Sequence, residues 1–209
     1  MRKRRYFISF IGGIGTGKTS GAEIIAKNLG FTLIKERFTQ NNFLPYFYKD
    51  MKTWAFNSQL FFLVEKLNQL LFIKNKLRDN SIAQDVSICQ DVFIYMEAQK
   101  ILNNVSNEDY KIYHKIYKKA MKLLPHPDLL IYLKWPPEYL ARQIKKRGRS
   151  YEKSIHFSYL KLLHKLLERW IAENSKDFLI LTIDTQNLNF VKKYSHKKEF
   201  IGLIKKFLK

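Results

Sequence analysis

The sequence predicts a three-layer α/β fold, a parallel sheet of about five strands with helices on both faces, built as one unit over residues 1–209. Three observations predict it. Short apolar runs bounded by turn residues alternate with longer stretches of helical period along the whole chain. The first run, YFISFI at residues 6–11, leads straight into GGIGTGKTS at residues 12–20, a glycine loop of the phosphate-binding kind. No linker or internal repeat interrupts the series, and 209 residues suffice for one full core.

The glycine loop is the sharpest of these signals. Gly12, Gly17, Lys18 and Thr19 stand at the spacing Gly, four residues, Gly, Lys, then Ser or Thr. After a strand and before a helix, the stretch Gly12, Gly13, Ile14, Gly15, Thr16, Gly17, Lys18, Thr19 and Ser20 turns several backbone N–H groups toward one anion, and the helix dipole adds favourable potential. Lys18 would reach the terminal phosphates of ATP, and the Thr19 hydroxyl would ligate Mg²⁺. Ala22, Ile24, Ile25, Ala26 and Leu29 continue at helical spacing until Gly30 offers a stop. A glycine turn that binds nothing would need neither the strand before it nor the helix after it.

Composition narrows the setting. Thirty-eight Lys and Arg against eighteen Asp and Glu give a charge of +20, which raises the question of a nucleic-acid partner. The lysines are spread along the chain with no recognisable nucleic-acid module, and diffuse charge is the mark of a solvated surface. A P-loop protein acting on nucleic acid therefore rests on charge alone. One cysteine, Cys89, excludes an internal disulfide framework and a cysteine-built metal site, and suggests a reducing compartment. No apolar run approaches a membrane span. MRKRR before YFISFI has the outline of a signal peptide, but cleavage there would destroy the glycine loop, so the expected location is cytoplasmic.

Further along, residues 32–34 read as a second strand that delivers Glu36 at its C-terminal end, where open α/β sheets bind ligands. From Trp54 onward a long helix runs to about residue 72, apolar on more than one face, so that one face lines the core and another could meet a partner subunit. Gln59 and Glu65 are polar exceptions within it. Residues 81–84 form a third strand before Asp85. The same pattern of residues begins six positions earlier at Asp79, but KNKLR in front of it is no strand, so Asp85 is the better register. Residues 92–124 read as helical, with Ser106 as an N-cap. Residues 129–133 form a buried strand, Pro136 and Pro137 open the next helix, and residues 145–149 (KKRGR) make a basic turn. An amphipathic helix over residues 158–171, a last strand within residues 178–191 and a closing helix complete the chain.

Glu36, NNFLPYFYKD at residues 41–50 and WAFNSQLFFL at residues 54–63 together resemble the deoxynucleoside kinase family. So do QDVSICQD at residues 84–91 and the run from residue 124 to residue 155. The resemblance covers nearly the whole length. It implies transfer of the γ-phosphate of ATP, with Mg²⁺, to the 5′-hydroxyl of a deoxyribonucleoside, as in nucleoside salvage. Position by position it implies that Glu36 accepts the hydroxyl proton, that Tyr48 and Glu152 bind the sugar, and that Gln59, Lys66 and Asp91 meet the base, with Trp54 in or behind the pocket wall. Asp91 leans toward purine or cytosine bases, whose amino groups can donate to it. Asp85 joins Thr19 at the metal, and Arg147 and Arg149 belong to a lid, about residues 142–153, that closes over the phosphates. A homodimer, or a heterodimer with a related kinase, is implied as well.

Three departures bear on activity. Val86 stands where the family carries an arginine beside the reacting oxygens, Gln143 where a lid arginine is expected, and Lys66 where many relatives have a base-contacting arginine. A preorganised cation of that sort can be worth roughly 10³-fold in phosphoryl transfer, and Lys lacks the planar fork of Arg. Arg142 lies about 100° around its helix from position 143 and substitutes only if the helix turns. The departures define an alternative reading, a weakly active or non-catalytic nucleotide-binding subunit that pairs with an active kinase.

Overall fold

The computed structural model describes residues 4–208. Its strands are β1 (Phe7–Gly12), β2 (Thr32–Ile34), β3 (Ile82–Gln84), β4 (Leu129–Lys134) and β5 (Ile180–Asp184), all parallel in the order β2-β3-β1-β4-β5. The helices are α1 (Lys18–Leu29), α2 (Leu44–Lys49), α3 (Met51–Lys76), α4 (Ile88–Gln90), α5 (Met96–Ile101), α6 (Asn107–Met121), α7 (Pro137–Arg147), α8 (Phe157–Asn174) and α9 (Tyr194–Lys205). Central strands buried on both faces read as continuous apolar runs, which is why FISFI and LLIYL carry no polar alternation. Each face has its own core. Ile8, Phe10, Leu129, Ile131 and Leu133 point toward α1 and α9, where Ile25, Phe200 and Ile204 meet them. Phe7, Ile11, Leu130 and Tyr132 point the other way, into the larger cluster built from α3 to α8.

Alternate residues of one strand thus serve opposite layers, and the register fixes which. Ser9 is the exception in β1. It pairs with Gln84 of β3 in the register, and its hydroxyl donates to the Gln84 side-chain oxygen at 3.0 Å. The Gln84 amide then donates to Gln69 at 3.0 Å, and Gln69 donates to the Lys35 carbonyl at 3.1 Å. A satisfied polar chain therefore ties β1, β3 and α3 to the segment just past β2 that carries Glu36.

Most element positions agree with the sequence reading, and the differences have local causes. α3 begins at Met51 rather than at Trp54, because the Asp50 carboxylate caps it by accepting from the Thr53 N–H at 3.2 Å. The stretch after residue 91 is not uniform helix. Asp91–Tyr95 is a π-helical turn, and residues 102–106 separate α5 from α6, which Ser106 caps as expected by accepting from the Asp109 N–H. The KKRGR segment is not a turn throughout: Lys145, Lys146 and Arg147 form the last turn of α7, where cations suit the helix dipole, and Gly148 at φ 71° ends it. β3 stops at Gln84, so Asp85, and not Asp79, lies at the carboxyl edge of the sheet.

Candidate active site

At that edge a cavity of about 570 Å³ opens between the glycine loop, the end of β2, α3, the π-helical turn and the segment after α7. The loop leaves β1 and enters α1 through Gly15 and Gly17, whose φ values of 86° and 93° are left-handed and would strain any residue with a Cβ. Lys18 is buried, and its ammonium donates to the carbonyls of Gly12 and Gly13, both at 2.8 Å. Burial pulls its pKa down to about 8, against the opposing pull of Asp85 and Glu36. The neighbouring Thr19 hydroxyl donates to Asp85 Oδ2 at 2.7 Å, while Asp85 Oδ1 is buried with no hydrogen-bond partner among the described residues. Burial raises the Asp85 pKa, and the Thr19 hydrogen bond opposes that rise.

The Thr19 hydroxyl and the Asp85 carboxylate are hard oxygen donors, and the orphaned Oδ1 is an acceptor in want of a positive partner. Such a pair fits Mg²⁺, which takes one or two protein oxygens and completes its shell with water and phosphate. Among the described residues there is no cluster of three His, Cys, Asp or Glu that would form a metal cage on its own.

Glu36, two residues past β2, lines the cavity, and its Oε1 accepts from the Lys66 ammonium at 3.0 Å. Lys66 is not in the cavity wall. Its side chain is 1% exposed, beneath Glu36, so the position expected to meet a base instead holds a carboxylate. Burial alone would lower the Lys66 pKa; Glu36 and Asp91 outweigh it and hold the group above the usual lysine range.

The far end of the cavity is aromatic, with two acceptors open to whatever enters. Phe47, Phe62 and Tyr95 form its sides, and Gln59 and Asp91 face it. Gln59 Oε1 and Asp91 Oδ2 are buried and unpartnered among the described residues. Burial drives the Asp91 pKa up to about 7, although Lys66 and Lys18 pull against it. Asp91 opens the π-helical turn, a local irregularity that often marks functional sites. Gln90 before it accepts from the Gly12 N–H at 2.9 Å and donates to the Tyr95 hydroxyl at 3.2 Å, which locks the glycine loop to the π-helical turn. Trp54 stands behind the wall, stacked on Phe43 at 5.9 Å.

The segment after α7 closes the third side. Arg147 grips Glu152 with two nitrogens, its Nε at 3.0 Å from Oε2, and Arg149 adds a contact at 3.3 Å. Glu152 is consequently buried as an ion pair, and Arg149 also lies over the Phe38 ring at 3.8 Å. Tyr151 stacks on Tyr48 with ring centroids 6.0 Å apart, and the Ser154 hydroxyl donates to the Tyr48 carbonyl at 3.0 Å. Tyr48 lines the cavity with its phenol pKa raised by burial and by Glu152. Tyr48 and the segment after α7 are therefore one packed unit.

All the residues given a site role from the sequence, except Lys66 and Trp54, border this cavity or belong to the glycine loop around it. Others border it that the sequence reading missed. Lys146 and Lys192 do so, and Gln90, Phe62, Phe38 and Tyr95 also line it. Lys146 had a legible signal: it stands three residues after Gln143 and shares its face of α7. Gln143 itself packs on the loop, 3.3 Å from where a Cβ on Gly15 would sit. Arg142 turns away and stacks on Tyr139 at 4.5 Å, so it does not replace the missing lid cation.

A glycine loop on a parallel sheet, a carboxylate at the end of a nearby strand and a basic segment facing both define a P-loop phosphotransferase. Comparison with known proteins then narrows the class. The family model described as deoxynucleoside kinase matches residues 8–209, and the chain belongs to that family, whose members phosphorylate deoxynucleosides. It is 30% identical over 205 residues to a deoxyguanosine kinase of Bacillus subtilis, covering 97% of both chains. It is 33% identical over 203 residues to a deoxyadenosine kinase of Lactobacillus acidophilus, covering 91% of this chain and 90% of the relative. Among solved structures it is similar to a deoxyadenosine kinase from M. mycoides with dCMP and dCDP bound, at a TM-score of 0.82 and 30% identity, over 96% of this chain and 97% of the other. The same enzyme with dATP bound matches at a TM-score of 0.81 and 30% identity, over 98% and 99%.

Proposed function

We propose that the protein transfers the γ-phosphate of ATP to the 5′-hydroxyl of a deoxyribonucleoside. The observation that carries this reading is the continuity of one cavity from Lys18 and Thr19, through Glu36, to the unpartnered acceptors of Gln59 and Asp91. A cavity of about 570 Å³ has the size for a small ligand beside a phosphate loop. The nucleoside base lies between Phe47, Phe62 and Tyr95, and its donor groups pair with Gln59 and Asp91. Two open acceptors favour a base with an amino group over one without. The sugar rests against Tyr48 and Glu152, which sets its 5′-hydroxyl toward Glu36.

Glu36 takes the hydroxyl proton as the oxygen attacks the γ-phosphorus and the bond to the leaving diphosphate breaks. Lys18 leaves the loop carbonyls for the phosphates, and Arg147 and Arg149 neutralise charge on the transferring group from the lid. Mg²⁺ held by Thr19 and Asp85 would add electrostatic stabilisation of the phosphates. The exposed apolar residues Val64, Leu71 and Phe72 of α3, with Ile112 and Ile116 of α6, support pairing with a second copy or a related chain.

The test is ATP consumption by the purified chain with Mg²⁺ against each of the four deoxynucleosides, with Lys18→Ala as control. Turnover on one or two nucleosides that disappears in the control establishes the kinase and names its substrate. If nothing is turned over while ATP or a nucleoside still raises Tm, the chain is a binding-only relative.

A further inference from the structure

The inner end of the cavity is crowded with negative charge. Glu36, Asp85 and Asp91 converge there, and Glu36 makes both aspartates harder to ionise. Position 86, in the cavity wall beside Asp85, is occupied by Val86, which can offset none of it. Its backbone is held at φ 71°, a left-handed conformation unfavourable to a β-branched residue, so the position is set by the fold and not by comfort of the side chain. Two buried lysines remain to balance three carboxylates. Lys18 is committed to the glycine loop and the phosphates beyond it. Lys66 has no outlet to the cavity, and its ammonium is fixed on Glu36 Oε1.

We propose that Lys66 is a positioning residue for the transfer: from beneath Glu36 it aims the carboxylate and places a positive charge against it, and so supplies the inner cation that Val86 cannot. This role rests on the kinase reading above. With Oε1 taken by Lys66, Oε2 is left to accept the 5′-hydroxyl proton. As that proton arrives, the Lys66–Glu36 attraction weakens and the lysine charge becomes available to the carboxylates and the phosphoryl group around it. The other groups that face Glu36 are Lys18 from α1, Asp85 after β3, Asp91 of the π-helical turn, and the phenols of Tyr48 and Tyr95. Lys18 is held by the loop carbonyls and the rest are acidic or neutral, so none of them replaces Lys66 on Oε1.

The experiment measures kcat and KM for Lys66→Met and Lys66→Arg, on whichever deoxynucleoside the unmodified chain phosphorylates, with Tm recorded for each. Expected are a fall in kcat of about 100-fold in Lys66→Met and an ATP KM changed less than about threefold. Lys66→Arg should restore most of kcat, and adding Val86→Arg to Lys66→Met should recover at least about tenfold by returning a cation from the other side. A lower Tm with kcat intact in Lys66→Met would overturn the role. So would a lost kcat that neither arginine rescues. No turnover by the unmodified chain would remove the kinase reading itself, and this role with it.

Discussion

Replacing Asp91 by asparagine should make the folded chain more stable and the enzyme worse. Asp91 is 2% exposed, and its Oδ2 has no hydrogen-bond partner among the described residues. Burial holds its pKa at about 7 against an ordinary value of 3.8. At about 1.4 kcal/mol for each tenfold in proton affinity, ionising it inside the fold costs about 4 kcal/mol. Below about pH 4 the carboxyl is protonated in folded and unfolded chains alike and the cost is absent; it grows as pH rises and is complete above about pH 7. An asparagine amide in its place never ionises. Asp91→Asn should therefore melt on the order of 10 °C higher than the unmodified chain at pH 8, at about 2–4 °C per kcal/mol for a chain this long. The gap should shrink to about 3–7 °C at pH 5. Calorimetric melting without ligand at the two pH values checks it. An equal gap at both, or a lower Tm for the variant at pH 8, would refute a carboxylate whose burial outweighs the pull of Lys66 and Lys18. The loss of function is read in the same instrument, because the variant should lose most of the Tm rise that a substrate nucleoside gives.

Other expectations are simpler. Lys18→Ala should reduce turnover by at least about 10³-fold with Tm unchanged or raised, since a buried ammonium whose pKa is pulled to about 8 contributes nothing to the core; steady-state kinetics and melting check both halves. Arg147→Ala leaves Glu152 buried with only the 3.3 Å contact from Arg149, so the nucleoside KM should rise about tenfold or more and Tm should fall, whereas an unchanged KM would free Glu152 of any sugar role. Lys146→Ala should raise the ATP KM about three- to tenfold and leave the nucleoside KM alone, measured by varying each substrate at saturation of the other.

The fold is legible in the sequence because its signals are local and redundant. A strand, a glycine loop and a helix stop at Gly30 need no tertiary information, and neither does an apolar run such as LLIYL between turn residues. Periodicity cannot mark where a cap overrides pattern, which is why Asp50 moves the start of α3 by a turn. Nor can it separate a π-helical turn from the helix around it. Within the site, Lys18 and Thr19, carried by the spaced loop motif, and Glu36, Asp85 and Asp91, given their roles by the family resemblance, all border the cavity. Lys66 is found as well, but its aim is not: position on α3 gives the face, while the depth of the side chain and the acidity around it decide whether an ammonium reaches a ligand or stops at a carboxylate. Lys192 passes unnoticed because a lysine in a chain of charge +20 carries little information until a cavity is seen beside it, and Lys146 is read only as part of a basic turn although its spacing from Gln143 is there to be used.

The loss of arginine at positions 86 and 143 therefore has a different meaning in three dimensions than in one. In the sequence each is a deleted charge, and together they motivate the alternative reading of a weakly active or non-catalytic subunit. In the structure each position has a lysine at hand, Lys66 behind Glu36 for the first and Lys146 on the same face of α7 for the second. A lysine is a point charge without the planar fork of arginine, so it can restore the sign of the potential but not a bidentate grip on a phosphate. Charge at the inner end matters because it acts on Glu36 through a fixed 3.0 Å contact, which a single ammonium makes as well as a guanidinium. At the proposed lid a fork suits a phosphoryl group, and there Arg147 and Arg149 remain, here paired with Glu152. On the proposed roles the substitutions thus fall where a point charge suffices and spare the positions where a fork is required, which favours the proposed transfer over the alternative of a binding subunit.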